Sequence, residues 1–179
     1  MSPATHLSVN QPIFYTEVAS PLGTLLLRAT TRGLNGLYLE EHRRGPTPQE
    51  RAAWTRDDRL FAPVREQLGE YFAGARTAFD VALDQEGFGG SAFQHRVWAA
   101  LLKIPYGQTI TYGELARRIG QPAAVRAVGL ANGRNPVSLI VPCHRVLGTG
   151  GKLTGYGGGT DRKRALLALE SRGRDGELF

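Results

Sequence analysis

Cysteine is nearly absent from the 179-residue chain, which contains one, Cys143. A single thiol cannot form an intramolecular disulfide, and no Cys-x-x-Cys pair is present to hold a structural zinc ion. Long apolar runs are also lacking, since none approaches the roughly 20 residues that cross a bilayer. Residues 1–15 do not combine a basic stretch with an apolar one, as a secretion signal would. We therefore expect a soluble, unexported, cytoplasmic protein with no membrane partner.

The overall composition is that of an ordinary globular protein. Apolar residues make up 41% of the chain and charged residues 21%, which argues against a disordered, collagen-like or fibrous protein. At about 150 residues per domain, the length predicts one domain or two small ones.

Anionic residues are scarce in the second half of the chain. Residues 1–89 carry 9 cations and 11 anions, whereas residues 90–179 carry 13 and 5, so the net charges are −2 and +8. Most of the cations are arginines, whose planar guanidinium suits phosphate oxygens and base edges. The second half is therefore expected to attract a polyanion, unless its charge forms a solvated face without a partner.

Branched and aromatic residues between turn formers predict an antiparallel meander at the start of the chain. Its three predicted strands are 13–19, 24–29 and 34–40. Residues 41–55 are polar and predict a loop, and apolar residues at four-residue spacing predict a helix over 57–73. A last strand is predicted over 78–83.

A glycine-rich stretch, 84–90, precedes the change in charge, and we place a domain boundary there. The predicted domains are 1–87 and 88–179. Beyond the boundary the pattern becomes helical, and Ser91 with Gln94 forms a capping-box signature for a first helix.

Two short helices joined by a tight turn are predicted next, which is the helix-turn-helix pattern. The first begins at a second capping-box signature, Thr111 with Glu114, and stops at Gly120. Pro122 is expected in the first turn of the second helix, which runs to about Asn132.

Arg126 is the long cation of that second helix. Val125 and Val128 are predicted to form its inward stripe, and Arg126 lies about 100° from Val125 around the helix axis. Arg126 should therefore face solvent or a ligand. The remaining residues are mostly small, which would let the helix approach a DNA groove or pack tightly inside its own domain.

Cys143 is followed by His144, which places a thiol beside an imidazole. The thiolate is a nucleophile, and histidine can remove its proton near neutral pH. In an extended strand the two side chains would point to opposite faces, so cooperation requires a bridging water or a turn, which Pro142 favours. The alternative is a buried cysteine that acts as a small hydrophobe.

Glu170 lies on the apolar stripe of the last predicted helix, four residues from Leu166 and three from Leu167. A carboxylate there needs a buried partner. His144 would serve, because a carboxylate on one ring nitrogen leaves the other to accept the thiol proton, directly or through water. A salt bridge with a nearby arginine is the alternative.

The glycine-rich loop 155–159 precedes the last helix, which is predicted to begin at Thr160 or Asp161 and to end before Gly173. Its spacing matches no nucleotide fingerprint, and we interpret it as a mobile turn that presents Tyr156. The remaining histidines show no metal-ligand spacing: His6, His42 and His95.

Residues 142–146 read Pro-Cys-His-Arg-Val, and here the chain resembles the O6-alkylguanine-DNA alkyltransferases, also called methylated-DNA--protein-cysteine methyltransferases. The likeness covers about residues 88–171, through the stretches 93–102, 104–107, 111–113, 126–129, 131–132, 135–136 and 155–158. Residues 1–87 match in general layout. The resemblance implies an α+β fold with an N-terminal ribonuclease H-like α/β domain, followed by a mainly helical C-terminal domain with a helix-turn-helix.

By this resemblance Cys143 takes the alkyl group from O6-alkylguanine in DNA, or less readily from O4-alkylthymine, in one irreversible displacement. His144, acting through a water, would be the base, and Glu170 would orient it. Asn135 would organise the turn that holds the cysteine, and Tyr112 would protonate the leaving guanine. The thioether product is not readily hydrolysed, so each molecule would act once as a suicide transferase, without a cofactor.

The resemblance also implies residues for binding. Those that would line the base pocket are Tyr156, Val146 and Gly157. Those that would contact DNA are Arg126, Tyr112, Gly113 and Gln121. The helix-turn-helix would lie in the minor groove of double-stranded DNA with little sequence preference, and Arg126 would fill the gap left by the flipped base. We expect a monomer, and clustering along DNA is left open.

Two features depart from the family pattern. Mammalian members carry a zinc site in the N-terminal domain, whereas this chain has no cysteine there, so no metal is expected. Some relatives carry serine or another residue after the loop tyrosine, whereas Gly157 predicts a freer loop and leaves the preferred alkyl size open.

Three other functions are compatible with parts of the sequence. A damage sensor would flip alkylated bases without repairing them, but such relatives lack the cysteine. A thiol hydrolase could use Cys143, His144 and Glu170, but it would leave Arg126 and the basic half unexplained. A sequence-specific repressor is disfavoured, because alanine and glycine dominate the helix that would contact base edges.

Overall fold

An antiparallel meander opens the structure, a computed structural model that describes residues 11–175. Its strands are β1 (Phe14–Ser20), β2 (Gly23–Thr30) and β3 (Gly33–Leu39). A two-residue strand, β4 (Thr55–Arg56), pairs in parallel with β1 and gives the order β3-β2-β1-β4. The predicted meander is confirmed to within two residues at each strand end.

The segment after the meander contains more structure than predicted. The expected loop over 41–55 includes a short helix, α1 (Pro48–Ala52), as well as β4. Helix α2 spans Ala62–Phe72, so the predicted start at residue 57 is wrong. The carboxylate of Asp57 accepts two backbone N–H bonds from the residues that follow it, which forms a separate turn before the helix.

The predicted strand over 78–83 is also wrong. The segment is extended, but the structure has a single bridge there, between Leu83 and Leu34. The N–H of Leu34 donates to the carbonyl of Ala82 at 2.9 Å. This close approach needs glycine at position 33, where φ is 143° and a Cβ would lie 2.5 Å from the same carbonyl oxygen.

The second half of the chain is mainly helical, as expected. Its helices are α3 (Ala92–Leu101), α4 (Tyr112–Arg118), α5 (Val125–Asn132) and α6 (Thr160–Asp175). Two short strands, β5 (Ile110–Thr111) and β6 (Val146–Leu147), pair in parallel. Single turns of 3-10 helix lie at Glu86–Phe88, Cys143–Arg145 and Thr149–Gly151. Within residues 11–175, no helix has the length and apolar character needed to cross a membrane.

The helix starts follow their capping residues. Ser91 and Gln94 form the full predicted capping box at the start of α3. At α4, Thr111 accepts the N–H of Glu114, but the Glu114 carboxylate pairs with two arginines of its own helix. Only the first part of that second capping box is therefore present.

The last two helices differ from prediction at one end each. Helix α5 begins at Val125, and Pro122 lies in the preceding turn. Val128 is fully buried, but Val125 is 39% exposed, so the prediction of an inward Val125 is wrong. Helix α6 continues through Gly173 to Asp175, because one interior glycine costs only about 1 kcal/mol relative to alanine.

The two halves share one apolar core. A continuous buried cluster includes Leu37 of β3, Leu101 of α3 and Val128 of α5. The outer edge of β3 also pairs with the segment that leads to Cys143, since Leu37 donates to the carbonyl of Pro136 at 2.9 Å. The first half therefore lies directly behind the cysteine segment.

Candidate active site

Cys143 and His144 begin a turn of 3-10 helix directly after Pro142. The backbone before it is sharply folded, since Leu139 has a φ of 69°, in the left-handed region. The turn that Pro142 predicted is present. The adjacent thiol and imidazole are therefore not forced onto opposite faces, as they would be in a strand.

Two buried asparagines hold the backbone of this segment. The side-chain amide of Asn135 donates to the carbonyl of Val141 at 2.6 Å, and its oxygen accepts the N–H of Val137 at 3.0 Å. Asn132 donates to the carbonyl of Cys143 at 3.3 Å. Because these bonds replace water for buried backbone groups, they fix the chain on both sides of the turn.

Glu170 is the centre of a buried polar cluster beneath the cysteine turn. Its carboxylate lies 2.8 Å from Nε2 of His144 and accepts two bonds from Arg145, at 2.8 and 2.9 Å. It also accepts the hydroxyl of Tyr71 at 2.7 Å and the N–H of Gly107 at 3.1 Å. Glu170 therefore binds His144, as considered from the sequence, together with Arg145 of the cysteine turn rather than an arginine at the end of its own helix.

Burial and hydrogen bonding set the protonation states of these groups. Burial raises the pKa of the Glu170 carboxyl, but bonds from His144 and Arg145 outweigh it and hold that pKa well below its usual range. Burial lowers the pKa of His144. Burial raises the pKa of the Cys143 thiol to about 11, although a hydrogen bond with Asn135 acts in the opposite direction. At neutral pH the site therefore holds a thiol, a neutral imidazole and a carboxylate.

The other ring nitrogen of His144, Nδ1, is fully buried and has no hydrogen-bond partner among the described residues. With Nε2 donating to Glu170, Nδ1 of the neutral ring is an acceptor. An unpaired buried acceptor is costly, and its place one residue after Cys143 supports a role in accepting a proton. Because the thiol does not hydrogen-bond to Nδ1, the proton would pass through a water.

Tyr156 is 5% exposed, so the loop does not present it to solvent as expected. Its hydroxyl and that of Ser138 are buried and lie close to each other, without a well-formed hydrogen bond to another group among the described residues. The side-chain oxygen of Asn132 is likewise buried, and it lies close to the hydroxyl of Tyr112.

A cleft of about 750 Å³ lies beside the loop that carries Tyr156, and the buried Cys143 is not among the residues that line it. The cleft brings together four predicted site residues: Tyr112, Arg126, Tyr156 and Gly157. Arg126 is exposed on α5, as predicted. The cleft is also lined by Arg43 and Arg44 from the first half, which sequence reasoning missed. Their adjacent positions in a polar loop gave no signal that they reach the second half.

The predicted residues of the cysteine cluster do not line this cleft, and neither do three predicted binding residues: Val146, Gly113 and Gln121. Val146 is fully buried in β6, where it pairs with Ile110. Gly113 lies in the first turn of α4, and Gln121 is exposed in the turn before α5.

Tyr112 begins α4, and its hydroxyl lies 3.4 Å from the carbonyl oxygens of Thr154 and Gly155. Burial raises the pKa of this phenol, so it remains protonated at neutral pH. Lys163, which sequence reasoning also missed, lies with its Nζ 5.9 Å from the Tyr112 ring centre. Burial lowers the pKa of Lys163 to about 8. Lys163 lies seven residues before Glu170, on the same face of α6, and this spacing is the sequence signal that could have placed it near the site.

The space beside Gly157 is filled, which corrects the expectation of a freer loop. A Cβ at this position would overlap the imidazole of His42, whose Cε1 atom would lie 2.6 Å away. His42 follows β3, so a side chain from the first half occupies the place that a residue larger than glycine would need.

Metal ligands are not grouped in the described part of the chain. Between residues 11 and 172, no three or more histidine, cysteine, aspartate or glutamate side chains are placed to hold a metal ion. His6 lies outside the described residues.

The α+β fold, the helix-turn-helix and the cysteine beside a histidine–glutamate pair define a DNA-binding protein with a nucleophilic thiol. Two family models match the chain: the ribonuclease-like domain of 6-O-methylguanine DNA methyltransferase over residues 13–85, and its DNA-binding domain over residues 92–172. The chain belongs to the O6-methylguanine DNA methyltransferase family. The ribonuclease-like N-terminal and DNA-binding C-terminal architecture expected from the sequence is confirmed.

Individual relatives agree with this assignment. The methylated-DNA--protein-cysteine methyltransferase of Mycolicibacterium paratuberculosis is 54% identical over 160 residues, which cover 89% of this chain and 93% of that protein. The one from Methanosarcina acetivorans is 46% identical over 159 residues, with 88% and 98% covered. The crystal structure of Mycobacterium tuberculosis OGT in complex with DNA has a TM-score of 0.81 at 52% identity, covering 89% of this chain and 93% of that one.

Proposed function

We propose that the protein repairs DNA by transferring the alkyl group of O6-alkylguanine to the sulfur of Cys143, once per molecule. The observation that carries this proposal is the unpaired, buried Nδ1 of His144, the residue after Cys143, with Nε2 held by Glu170. Membership in the family and the DNA complex of the mycobacterial relative support the same substrate.

The proposed reaction balances as a single displacement. The thiol loses its proton to His144 through a water, and the thiolate attacks the alkyl carbon. A carbon–sulfur bond forms as the bond between the alkyl carbon and guanine O6 breaks. Tyr112 gives a proton to the leaving guanine and regains one from the site, so the net proton transfer is from thiol to guanine. The thioether that remains on Cys143 ends the activity of that molecule.

The other residues act in binding and positioning. Asn135 keeps the cysteine turn in place, while Tyr156, Gly157 and the backbone around Val146, whose side chain is buried, would line the base pocket. Residues that would contact DNA are Arg126, Tyr112, Gly113 and Gln121. The base must leave the duplex to reach a buried thiol, and an inserted Arg126 would offset part of the few kcal/mol that this costs. O4-alkylthymine would react less readily.

The domain boundary belongs between residues 87 and 88. The gap between the two matched family ranges, from residue 85 to residue 92, supports this position. We infer that the protein acts as a monomer without a cofactor, in the cytoplasm.

The proposal is tested by mixing the purified protein with an equimolar duplex that contains one O6-methylguanine. Intact mass and digestion should locate one added methyl group on the Cys143 peptide, and transfer should stop at one equivalent. Cys143→Ser is the matched control and should gain no mass. Tight binding with unchanged mass would instead identify a damage sensor, and repeated turnover of a thioester or amide would identify a thiol hydrolase.

A further inference from the structure

The loop over residues 155–159, which carries Tyr156, rests on the end of β3. The N–H of Arg43 donates to the carbonyl of Gly157 at 3.2 Å. A Cβ at Gly158 would lie 2.8 Å from Cδ1 of Leu39, so there is no room for a side chain. The loop is therefore in direct contact with the N-terminal domain.

Arg162, at the start of α6, joins three separate segments. Its Nε donates to the carbonyl of Leu22 at 2.9 Å, in the turn between β1 and β2. Its Nη1 donates to the carbonyl of Glu40 at 2.8 Å, after β3, and to the carbonyl of Gly158 at 3.0 Å. A guanidinium can bind several carbonyls at once in a fixed geometry, so Arg162 ties the loop to the N-terminal sheet.

His42 packs against the loop at Gly157. Its ring makes an edge contact with Tyr38, with 5.7 Å between ring centres, and its Nδ1 accepts the N–H of Arg44 at 3.2 Å. Two contacts therefore hold this imidazole against Gly157, where a Cβ would overlap it. His42, Arg43 and Arg162 together form a clamp on the loop.

We propose that this clamp sets the position of Tyr156 and thereby the size of alkyl group that Cys143 accepts. This inference rests on the proposed function. His42 and Arg162 are positioning residues that act through the loop. A held loop keeps the base pocket in one shape, which favours a small alkyl group, whereas a released loop can move aside for a bulky one.

Arg162→Ala tests the clamp, with Arg164→Ala as the matched control. Arg164 is 64% exposed on the same helix and pairs with Asp161. Single-turnover rates would be measured at saturating duplex that contains either O6-methylguanine or O6-benzylguanine. For Arg162→Ala we expect the methyl-transfer rate to fall by about 10-fold and the benzyl rate to fall less. The duplex concentration at half-maximal rate should stay the same. Arg164→Ala should match the wild-type protein in every rate.

Arg162→Lys keeps the charge, but the lysine ammonium lacks the planar guanidinium that binds three carbonyls at once. This variant should therefore give a ratio of benzyl to methyl transfer between those of the wild-type protein and Arg162→Ala. An equal fall in both rates for Arg162→Ala would overturn the inference, because a general structural defect predicts that result.

A second pair of variants tests the contact between His42 and Gly157. Gly157→Ala should slow methyl transfer, because the added Cβ meets the imidazole. His42→Gly alone should also slow methyl transfer, because it removes part of the clamp. Since the two changes affect one contact, the loss in the double variant should be smaller than the sum of the two single losses. If Gly157→Ala has no effect, or the two losses simply add, the contact does not position the loop.

Backbone hydrogen exchange of residues 155–159 separates this inference from the proposed function. In DNA-free protein, Arg162→Ala should speed exchange in the loop, and Arg164→Ala should not. This readout does not depend on alkyl transfer. Unchanged exchange would overturn the clamp even if the wild-type protein repairs DNA, whereas faster exchange without methyl transfer by the wild-type protein would overturn the function alone.

Discussion

Glu170 binds four buried or partly buried partners: Tyr71, Gly107, His144 and Arg145. Removing its charge should lower the free energy of unfolding. Glu170→Gln removes the charge that balances the buried guanidinium of Arg145 while keeping the shape of the side chain. Breaking a buried ion pair by removing one partner typically costs 3–5 kcal/mol, so we expect the free energy of unfolding to fall by about 3 kcal/mol. Urea unfolding would measure it.

The matched control is Glu66→Gln, which changes an exposed glutamate on α2. Surface changes of this kind usually alter stability by about 0.5 kcal/mol or less. A similar loss in both variants would mean that the buried cluster contributes no more than a surface charge.

The thiol of Cys143 should react faster with an alkylating reagent as the pH rises. Burial raises the pKa of its thiol to about 11, so in DNA-free protein the neutral thiol predominates at pH 7 and the thiolate fraction grows as pH rises. Burial also lowers the pKa of Lys163 to about 8, so this nearby cation is lost over the same range. Alkylation of Cys143 by iodoacetamide should therefore increase from pH 7 to pH 10 without a plateau.

A short cysteine peptide provides the comparison, because its thiol has a pKa of about 8.5 and its rate levels off above that value. Mass spectrometry of timed samples gives both rates. A plateau for the protein below pH 8 would contradict the raised pKa.

The reactive residues were predictable where local sequence carries the chemistry. Cys143 and His144 are adjacent, and Glu170 was found because a carboxylate on an apolar stripe needs a buried partner. Arg145 and Lys163 were missed as site residues because arginine and lysine are normally exposed. Their burial depends on carbonyl and carboxylate groups that are distant in sequence and meet them only in the folded chain.

Helix α5 carries the exposed Arg126 at the edge of the cleft, and the proposed role of this cation in DNA binding can be tested separately from the chemistry. Arg126→Ala should slow methyl transfer from duplex DNA, because an inserted side chain stabilises the flipped state by part of a few kcal/mol. Reaction with free O6-benzylguanine should be unchanged, since that base needs no flipping. Single-turnover rates with the two substrates would be compared.

Arg96→Ala is the matched control, because Arg96 is exposed on α3 and does not line the cleft. It should leave both rates unchanged. Equal loss of both reactions in Arg126→Ala would show that the arginine acts on the pocket and not on the extruded nucleotide.

Element boundaries show where sequence patterns lose their predictive power. Helix α2 starts five residues later than its apolar spacing predicts, because the Asp57 side chain caps a separate turn. Helix α5 starts three residues after Pro122, which left Val125 exposed. Capping residues predicted the start of α3 correctly, since there both hydrogen bonds of the box are local.

At the scale of the whole molecule, the contacts between the two domains were not predictable from the sequence. Tyr71 reaches Glu170 across 99 positions, and Arg162 reaches the carbonyl of Leu22 across 140. Each of these residues fits its own helix without the contact, so no local pattern requires it. The N-terminal domain consequently has a larger part in the site than its general likeness to the family indicated.

The charge difference between the domains leads to the last prediction. The first half of the chain has a net charge of −2, yet Arg43 and Arg44 from that half line the cleft beside Arg126. Their side chains are exposed at its mouth, and we expect both to contact DNA phosphates. Each phosphate contact contributes about 0.9 to the slope of log K against log salt concentration, because binding releases condensed counterions. Removing either arginine should therefore reduce the slope by about 0.9.

Binding of undamaged duplex DNA would be measured at several salt concentrations for Arg43→Ala and Arg44→Ala. Arg59→Ala is the matched control, since Arg59 is exposed on the same half but does not line the cleft. It should keep the slope of the wild-type protein. If all three variants share that slope, DNA is held by the C-terminal domain alone, and the two loop arginines contribute nothing to its electrostatic attraction.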